Sequence, residues 1–332
     1  MDEPDFFGKT APYWLMAAGS LLWLSSRVRS GRPLVKYELR RPVPWNGLAM
    51  AAVVVLFMFL PSAIFLAARD RFTAGLEPAA QAEFAALEEG TKPTFPGYAV
   101  TILKADCAGK LIGAALVVAF LAGVFRADGR DLGLSLHRFG RNLRLGLLAF
   151  FIITPPVMVL QASLIHFTGF EYDHPLIVGL RDRSNRDILY WSLITAIVVA
   201  PLVEELFFRG LLQGWLERAV VKFQTSLNAE QLRAYERPTT DNPLLADPQL
   251  AATHAPIPMP GPSHIPNVIT SILFGLAHWG PGSGPAPFVL FVFSLGLGYL
   301  YRQTHSIWPG TVVHFLLNSL SMAMLLSEAA KK

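Results

Sequence analysis

Long stretches without a charged side chain are the feature that most limits how this chain can fold. Residues 45–68, 145–165 and 279–301 contain no Asp, Glu, Lys or Arg, and residues 306–327 carry only His314 as an ionisable group. A helix needs about 20 apolar residues to cross the hydrocarbon core of a bilayer, which is about 30 Å thick. These four stretches therefore predict membrane-spanning helices.

Four further segments are shorter or contain polar residues, and we predict that they also cross or enter the membrane. They are residues 11–26, 111–125, 188–203 and 265–280. The last of these could be re-entrant instead, because its uncharged part ends at His278. The sequence thus predicts an all-α fold, a polytopic transmembrane helical bundle of about eight spans.

Composition and loop charges indicate which partners such a chain has. Charged residues make up 16% of the chain and hydrophobic residues 52%, and the net charge of +4 comes from a few short basic loops. This argues against nucleic acid as a partner and for the lipid bilayer. The positive-inside rule places residues 27–41 and 126–144 in the cytoplasm and the N-terminus outside. We expect a multi-pass protein of the bacterial inner membrane, with its oligomeric state left open.

One long segment does not fit the pattern of apolar helices. Residues 238–266 contain eight prolines, so we predict an extended loop within a cytoplasmic insert at about 216–266. Residues 76–91 have the apolar spacing of a short amphipathic helix. Cys107 is the only cysteine, which excludes an intramolecular disulfide.

Three charged residues stand together in the apolar segment that begins at residue 188, namely Glu204, Glu205 and Arg209. A charge at the bilayer centre costs ~2.5–3.5 kcal/mol on insertion scales. Glu205 and Arg209 are four residues apart and can pair along one helix face. Because Glu204 points about 100° away from Glu205, it remains a candidate base or metal ligand. The alternative is a helix end whose charges are solvated at the interface.

Two other apolar helices also carry polar groups. His278 follows Phe274 by one helical turn, so Phe274 can shield it from lipid and water. His314 and Asn318 are four residues apart and present a donor and an acceptor on one face. Taken singly, each group is as well explained by hydrogen bonds between helices.

Together these groups predict a common interior site, because buried polar side chains are least costly when they satisfy one another. Glutamate, two histidines and asparagine around a water molecule suit hydrolysis. The carboxylate takes the proton, the imidazoles bind a metal or polarise the water, and the amide holds the developing oxyanion. The metalloprotease motif HExxH is absent, so the site must be assembled from separate helices.

The three motifs resemble those of the CAAX protease and bacteriocin-processing (CPBP, or Abi) family of intramembrane peptidases, which includes the type II CAAX prenyl endopeptidases. The family patterns EExxxR, FxxxH and HxxxN stand here as Glu204-Glu205-Leu-Phe-Phe-Arg209, Phe274-Gly-Leu-Ala-His278 and His314-Phe-Leu-Leu-Asn318. The resemblance implies a catalytic helical core at residues 188–327. Residues 1–187 then form N-terminal membrane helices without a recognised motif.

The resemblance also implies a role for each residue of the motifs. Glu204 is the activating carboxylate, and His278 and His314 surround the water or metal. Asn318 stabilises the oxyanion, and Glu205 and Arg209 support the site. A divalent metal, with zinc the expected ion, would be held by Glu204, His278 and His314. The alternative is that the glutamate and the histidines activate the water without a direct metal.

The expected activity is hydrolysis of a peptide bond in a membrane-associated or prenylated, CAAX-type substrate. Two other functions stay open at this point. Buried Glu, His and Arg, with helices interrupted by proline, also suit a proton-coupled transporter, although the sequence shows no internal repeat. A non-catalytic membrane scaffold of the same family is the third possibility, and the complete motifs argue against it.

Overall fold

The fold is a bundle of α-helices, seen in a computed structural model that describes residues 3–38, 42–73, 96–170, 186–236, 263–280 and 283–329. These residues form eight helices. They are α1 (Glu3–Arg29), α2 (Gly47–Thr73), α3 (Pro96–Phe125), α4 (Phe139–Thr168), α5 (residues 186–236), α6 (Ile265–Ala277), α7 (Ala286–Thr304) and α8 (Trp308–Ala329). The predicted all-α membrane bundle is thereby confirmed.

Four of the helices are long and apolar enough to cross a membrane, namely α3, α4, α5 and α8. The α6 helix has 13 residues. At 1.5 Å per residue it is about 20 Å long, which is shorter than the ~30 Å hydrocarbon core. The α6 helix is therefore too short to cross the membrane alone, and it packs extensively against α7.

The α5 helix is continuous but has an unusual internal geometry. Its α-helical parts, Arg186–Leu193, Ala200–Glu205 and Gly214–Glu236, are separated by two π-helical segments, Ile194–Val199 and Leu206–Gln213. Pro201 lies two residues after the end of the first π segment and has no N–H to bond the carbonyl one turn earlier. Segments of this kind occur frequently at functional sites.

Helix pairs assemble around α5. The α2 helix packs on α3, α4 packs on both α1 and α8, and α3 and α8 contact the first half of α5. One hydrogen bond links α1 to α4. Pro155 cannot donate to the Phe151 carbonyl, and the Ser20 hydroxyl of α1, which also lies 2.9 Å from the Met16 carbonyl of its own helix, reaches the Phe151 carbonyl at 3.2 Å.

Apolar packing fixes the centre of the bundle. The largest core surrounds Trp45, which is fully buried, and joins α2 and α3 to the second π segment of α5 and to α7. A second core joins α4, α7 and α8 around Phe293 and Val313. His314 contacts one ring of each core, Phe274 of the first and Phe293 of the second.

Two predicted segments fall partly or wholly outside the described residues. The amphipathic helix at 76–91 lies outside them, as do residues 237–262 of the proline-rich stretch. The α5 helix continues to Glu236, so the first 21 residues of the predicted insert at 216–266 belong to this helix.

Candidate functional site

The α5 helix carries the first part of the site between its two π segments. Glu204 and Glu205 end the short α-helical part Ala200–Glu205, and Arg209 lies in the π segment that follows. The Glu204 side chain is 17% exposed, whereas Glu205 and Arg209 are completely buried. Glu204 is therefore the carboxylate that a substrate or a water molecule can reach.

Glu205 contacts two side chains inside the protein, Arg209 and His314. Its Oε2 lies 3.4 Å from Arg209 Nε, which is the pair that the four-residue spacing predicts. Its Oε1 lies 3.5 Å from Nδ1 of His314 on α8. The buried carboxylate thus bridges α5 and α8, a contact that the sequence does not reveal.

Arg209 is held from three directions. Its Nη2 donates to the Ser294 hydroxyl of α7 (2.6 Å), and its Nη1 donates to the Thr270 hydroxyl of α6 (3.4 Å). Its guanidinium also lies over the ring of Phe274, 5.6 Å from the ring centre. Because Arg209 contacts both α6 and α7, it attaches these two helices to α5.

His278 lies at the C-terminal end of α6, where its ring is fixed by its own helix. Its Nδ1 is 2.8 Å from the Phe274 carbonyl. A carbonyl oxygen only accepts, so this bond requires the proton on Nδ1, and in the tautomer with a single ring proton Nε2 presents its lone pair. That Nε2 lies 3.8 Å from Glu204 Oε2. The Phe274 ring packs against the imidazole, as the sequence predicts.

His314 approaches the same carboxylate from α8. Its Nε2 lies 4.0 Å from Glu204 Oε2, while its Nδ1 faces Glu205. The imidazole is 5% exposed and is flanked by the edges of Phe274 and Phe293. The three helices therefore direct two imidazole nitrogens toward a single oxygen of Glu204.

Asn318 lies one helical turn beyond His314 on α8. Its Nδ2 donates to the Ala196 carbonyl in the first π segment of α5 (2.7 Å). One N–H of this amide therefore holds α8 to α5. The structure places Asn318 beside the site and gives it a role in joining helices that its motif does not indicate.

Three residues near the site have no counterpart in the motifs: Gly310, Ser294 and Thr270. A Cβ atom added at Gly310 would lie 2.5 Å from Glu205 Oε2, so glycine makes room for the buried carboxylate. The only feature of the sequence that points to Gly310 is its position one helical turn before His314, on the same helix face. Ser294 and Thr270 are ordinary small polar residues of apolar helices, and only their contact with Arg209 distinguishes them.

The centre of the site contains buried polar atoms without hydrogen-bond partners in the described part of the chain. Glu204 Oε2 is the clearest case, since Glu205 Oε1 and His314 Nδ1 face each other at 3.5 Å and Glu205 Oε2 faces Arg209 Nε at 3.4 Å without forming hydrogen bonds of good geometry. Buried polar groups are normally paired, so such a cluster indicates a place for a water molecule or an ion. Among the residues described, no three His, Cys, Asp or Glu side chains already stand in metal-binding positions.

Fold and site together define an α-helical integral membrane protein with ionisable side chains enclosed between its C-terminal helices. A family model described as "Type II CAAX prenyl endopeptidase Rce1-like" matches residues 186–229 and 253–320. The part of the chain that carries all three motifs is therefore similar to this family of proteases, which confirms the resemblance found in the sequence. No curated protein and no solved structure matched the chain.

Proposed function

We propose that the protein is an intramembrane endopeptidase that hydrolyses a peptide bond of a membrane-associated or prenylated, CAAX-type substrate. The observation that carries the proposal is the approach of His278 Nε2 and His314 Nε2 to one oxygen of Glu204, from three separate helices. Similarity to a protease family supports the reaction class. We further propose that the protein lies in the bacterial inner membrane. The basic loop segments would then face the cytoplasm.

Glu204 is the proposed general base. It is the more accessible of the two adjacent carboxylates, and Glu205 is already engaged by Arg209 and His314. The distances of 3.8 and 4.0 Å from Glu204 to the two imidazoles are too long for direct hydrogen bonds. A water molecule shared by the three side chains would satisfy them, and Glu204 would take its proton during attack on the carbonyl carbon.

The two histidines have different proposed tasks. His278 keeps Nε2 unprotonated through its bond to Phe274 and can accept a proton or orient the water. His314 has Glu205 behind it, and this contact orients the ring so that Nε2 faces the centre of the site. It can therefore polarise the substrate carbonyl or protonate the leaving amine. Asn318 remains the proposed oxyanion stabiliser through the N–H that does not bond Ala196.

We also propose that Glu204, His278 and His314 would hold a zinc ion, which requires these side chains to lie closer together than they do in this structure. Both histidines direct Nε2 to the centre, and each Nδ1 faces an oxygen that fixes the ring, as is common for metal-bound histidine. When bound, zinc would supply a Lewis acid and lower the pKa of its water.

The test compares wild-type protein with Glu204→Gln in cleavage of a prenylated CAAX peptide in neutral detergent. Removal of a general base should lower kcat by about 10²–10⁴-fold, while the thermal unfolding temperature stays unchanged because the two side chains have the same shape. Glu217→Gln is the matched control, since Glu217 lies on the same helix and is similarly exposed (20%). Equal activity of wild type and Glu204→Gln would refute the catalytic assignment.

A further inference from the structure

A pocket of about 630 Å³ lies away from the candidate active site, against the part of α5 that follows its second π segment. Its apolar wall is formed by Pro42, Val43, Pro44 and Val221, and its two charged residues are Arg218 and Lys222. None of the described residues that line it is acidic. The pocket therefore combines an apolar surface with two positive charges that its own lining does not neutralise.

The Arg218 guanidinium is held in a fixed position. Its Nη1 donates to the Val43 carbonyl (2.9 Å) and the Trp45 carbonyl (2.5 Å), and Trp45 is completely buried. These bonds orient the side chain and leave its charge in place, because both acceptors are neutral. Lys222 lies one helical turn further along α5, on the same face.

The hydroxyl groups of the pocket already have partners. The Thr225 hydroxyl donates to the Val221 carbonyl (2.8 Å), and the Ser226 hydroxyl donates to the Phe223 carbonyl (2.7 Å). Recognition of a ligand at this place consequently depends on Arg218 and Lys222. Two neighbouring cations in one pocket select an anion.

The location of the pocket indicates what kind of anion it holds. Its loop wall, residues 42–44, follows the basic segment that includes Arg27, Arg29 and Lys36, which the positive-inside rule assigns to the cytoplasmic surface. Basic pockets between transmembrane helices on this side of a membrane bind anionic lipid head groups. The apolar wall would contact the first part of the acyl chains.

A second cavity of similar size shows by contrast why charge matters. It is about 640 Å³ and is lined by Arg138 and Arg141 but also by Glu38, Asp128 and Asp131. Glu38 forms ion pairs with both of these arginines. Because its own acidic residues offset its arginines, this cavity does not favour an anion in the way that the pocket at Arg218 does.

We propose that the pocket formed by residues 42–44 and Arg218–Ser226 is a binding site for an anionic phospholipid, whose phosphate contacts Arg218 and Lys222. The lipid would join the loop that precedes α2 to the C-terminal part of α5 and so stabilise the bundle. The proposal is independent of the peptidase assignment, because no residue of the pocket belongs to the Glu204 site.

Native mass spectrometry of the purified protein, exposed to equal amounts of phosphatidylglycerol and phosphatidylcholine, tests the proposal. A cation near an anionic membrane surface contributes about 1 kcal/mol, which corresponds to a change of roughly fivefold in affinity. Lys222→Gln should therefore lower phosphatidylglycerol retention about fivefold, and the double variant with Arg218→Gln should lower it further. The control Arg144→Gln removes an exposed arginine at the start of α4 and should retain the lipid as wild type does.

Lys222→Gln is the decisive variant because Lys222 is exposed, whereas Arg218→Gln also removes the contacts to Val43 and Trp45. Equal retention of phosphatidylglycerol by wild type, Lys222→Gln and Arg144→Gln would overturn the proposal, as would equal retention of the two lipids by wild type. A further arm measures thermal unfolding with inorganic phosphate alone. If phosphate raises the unfolding temperature as much as phosphatidylglycerol does, the occupant is not a lipid.

Discussion

Replacement of Gly310 by alanine tests whether the buried Glu205 carboxylate positions His314. The added Cβ would lie 2.5 Å from Glu205 Oε2 and 3.4 Å from Glu205 Cδ, so the carboxylate must move. Ordinary contact distances are about 3.5 Å or more, which requires a displacement of about 1 Å. Glu205 has little room to move, because it is completely buried with Arg209 on one side and His314 on the other.

Two opposing terms determine the stability of Gly310→Ala. Overpacking of a core costs about 1–3 kcal/mol, whereas alanine is more favourable than glycine within a helix by about 0.8–1.0 kcal/mol. The free energy of unfolding should therefore fall by about 0–2 kcal/mol. Activity should fall much more, since misplacement of a site by 1 Å can cost about 10²-fold.

Peptide cleavage and thermal unfolding should be measured on the same preparation of Gly310→Ala. The matched control is Gly113→Ala in α3, where the new Cβ would meet only Leu60 Cδ2, at 3.8 Å. The control should keep full activity and be as stable as wild type or slightly more stable. Our reasoning is refuted if Gly310→Ala cleaves peptide as well as wild type does, because the Glu205–His314 contact would then be irrelevant to catalysis.

Three further predictions concern the surroundings of the site. Ser294→Ala removes the hydroxyl that accepts from Arg209 and should lower the unfolding free energy by about 1–3 kcal/mol. Its control is Ser192→Ala, which removes a buried hydroxyl without a hydrogen-bond partner in the described residues and should leave the unfolding free energy unchanged. Asn318→Ala should lower the unfolding free energy by about 1 kcal/mol as well as activity, because it releases Ala196; unchanged stability would mean that this contact does not hold α8 to α5. Removal of metal by a chelator should abolish cleavage, and zinc but not magnesium should restore it; full activity of protein shown to be metal-free would exclude a zinc mechanism.

Much of the fold follows from the sequence alone. An uncharged stretch of 20 or more residues must form a helix in a bilayer, because no other single segment satisfies its own backbone there. The pairing of Glu205 with Arg209 is equally local, since residues four apart on one helix are neighbours whatever surrounds them. The three motifs, and with them the protease family, could likewise be recognised from residue types and spacing.

The sequence pattern does not predict which residues of different helices contact one another, and only the tertiary structure shows this. Glu205 meets His314 and Asn318 meets Ala196 because α8 packs against α5 in one register, and the spacing of residues within each helix does not determine that register. Gly310 is important only because the Glu205 carboxylate lies against it. The sequence fixes which side chains share a face of their own helix, whereas the packing of large and small side chains across helices determines which faces meet and at what height.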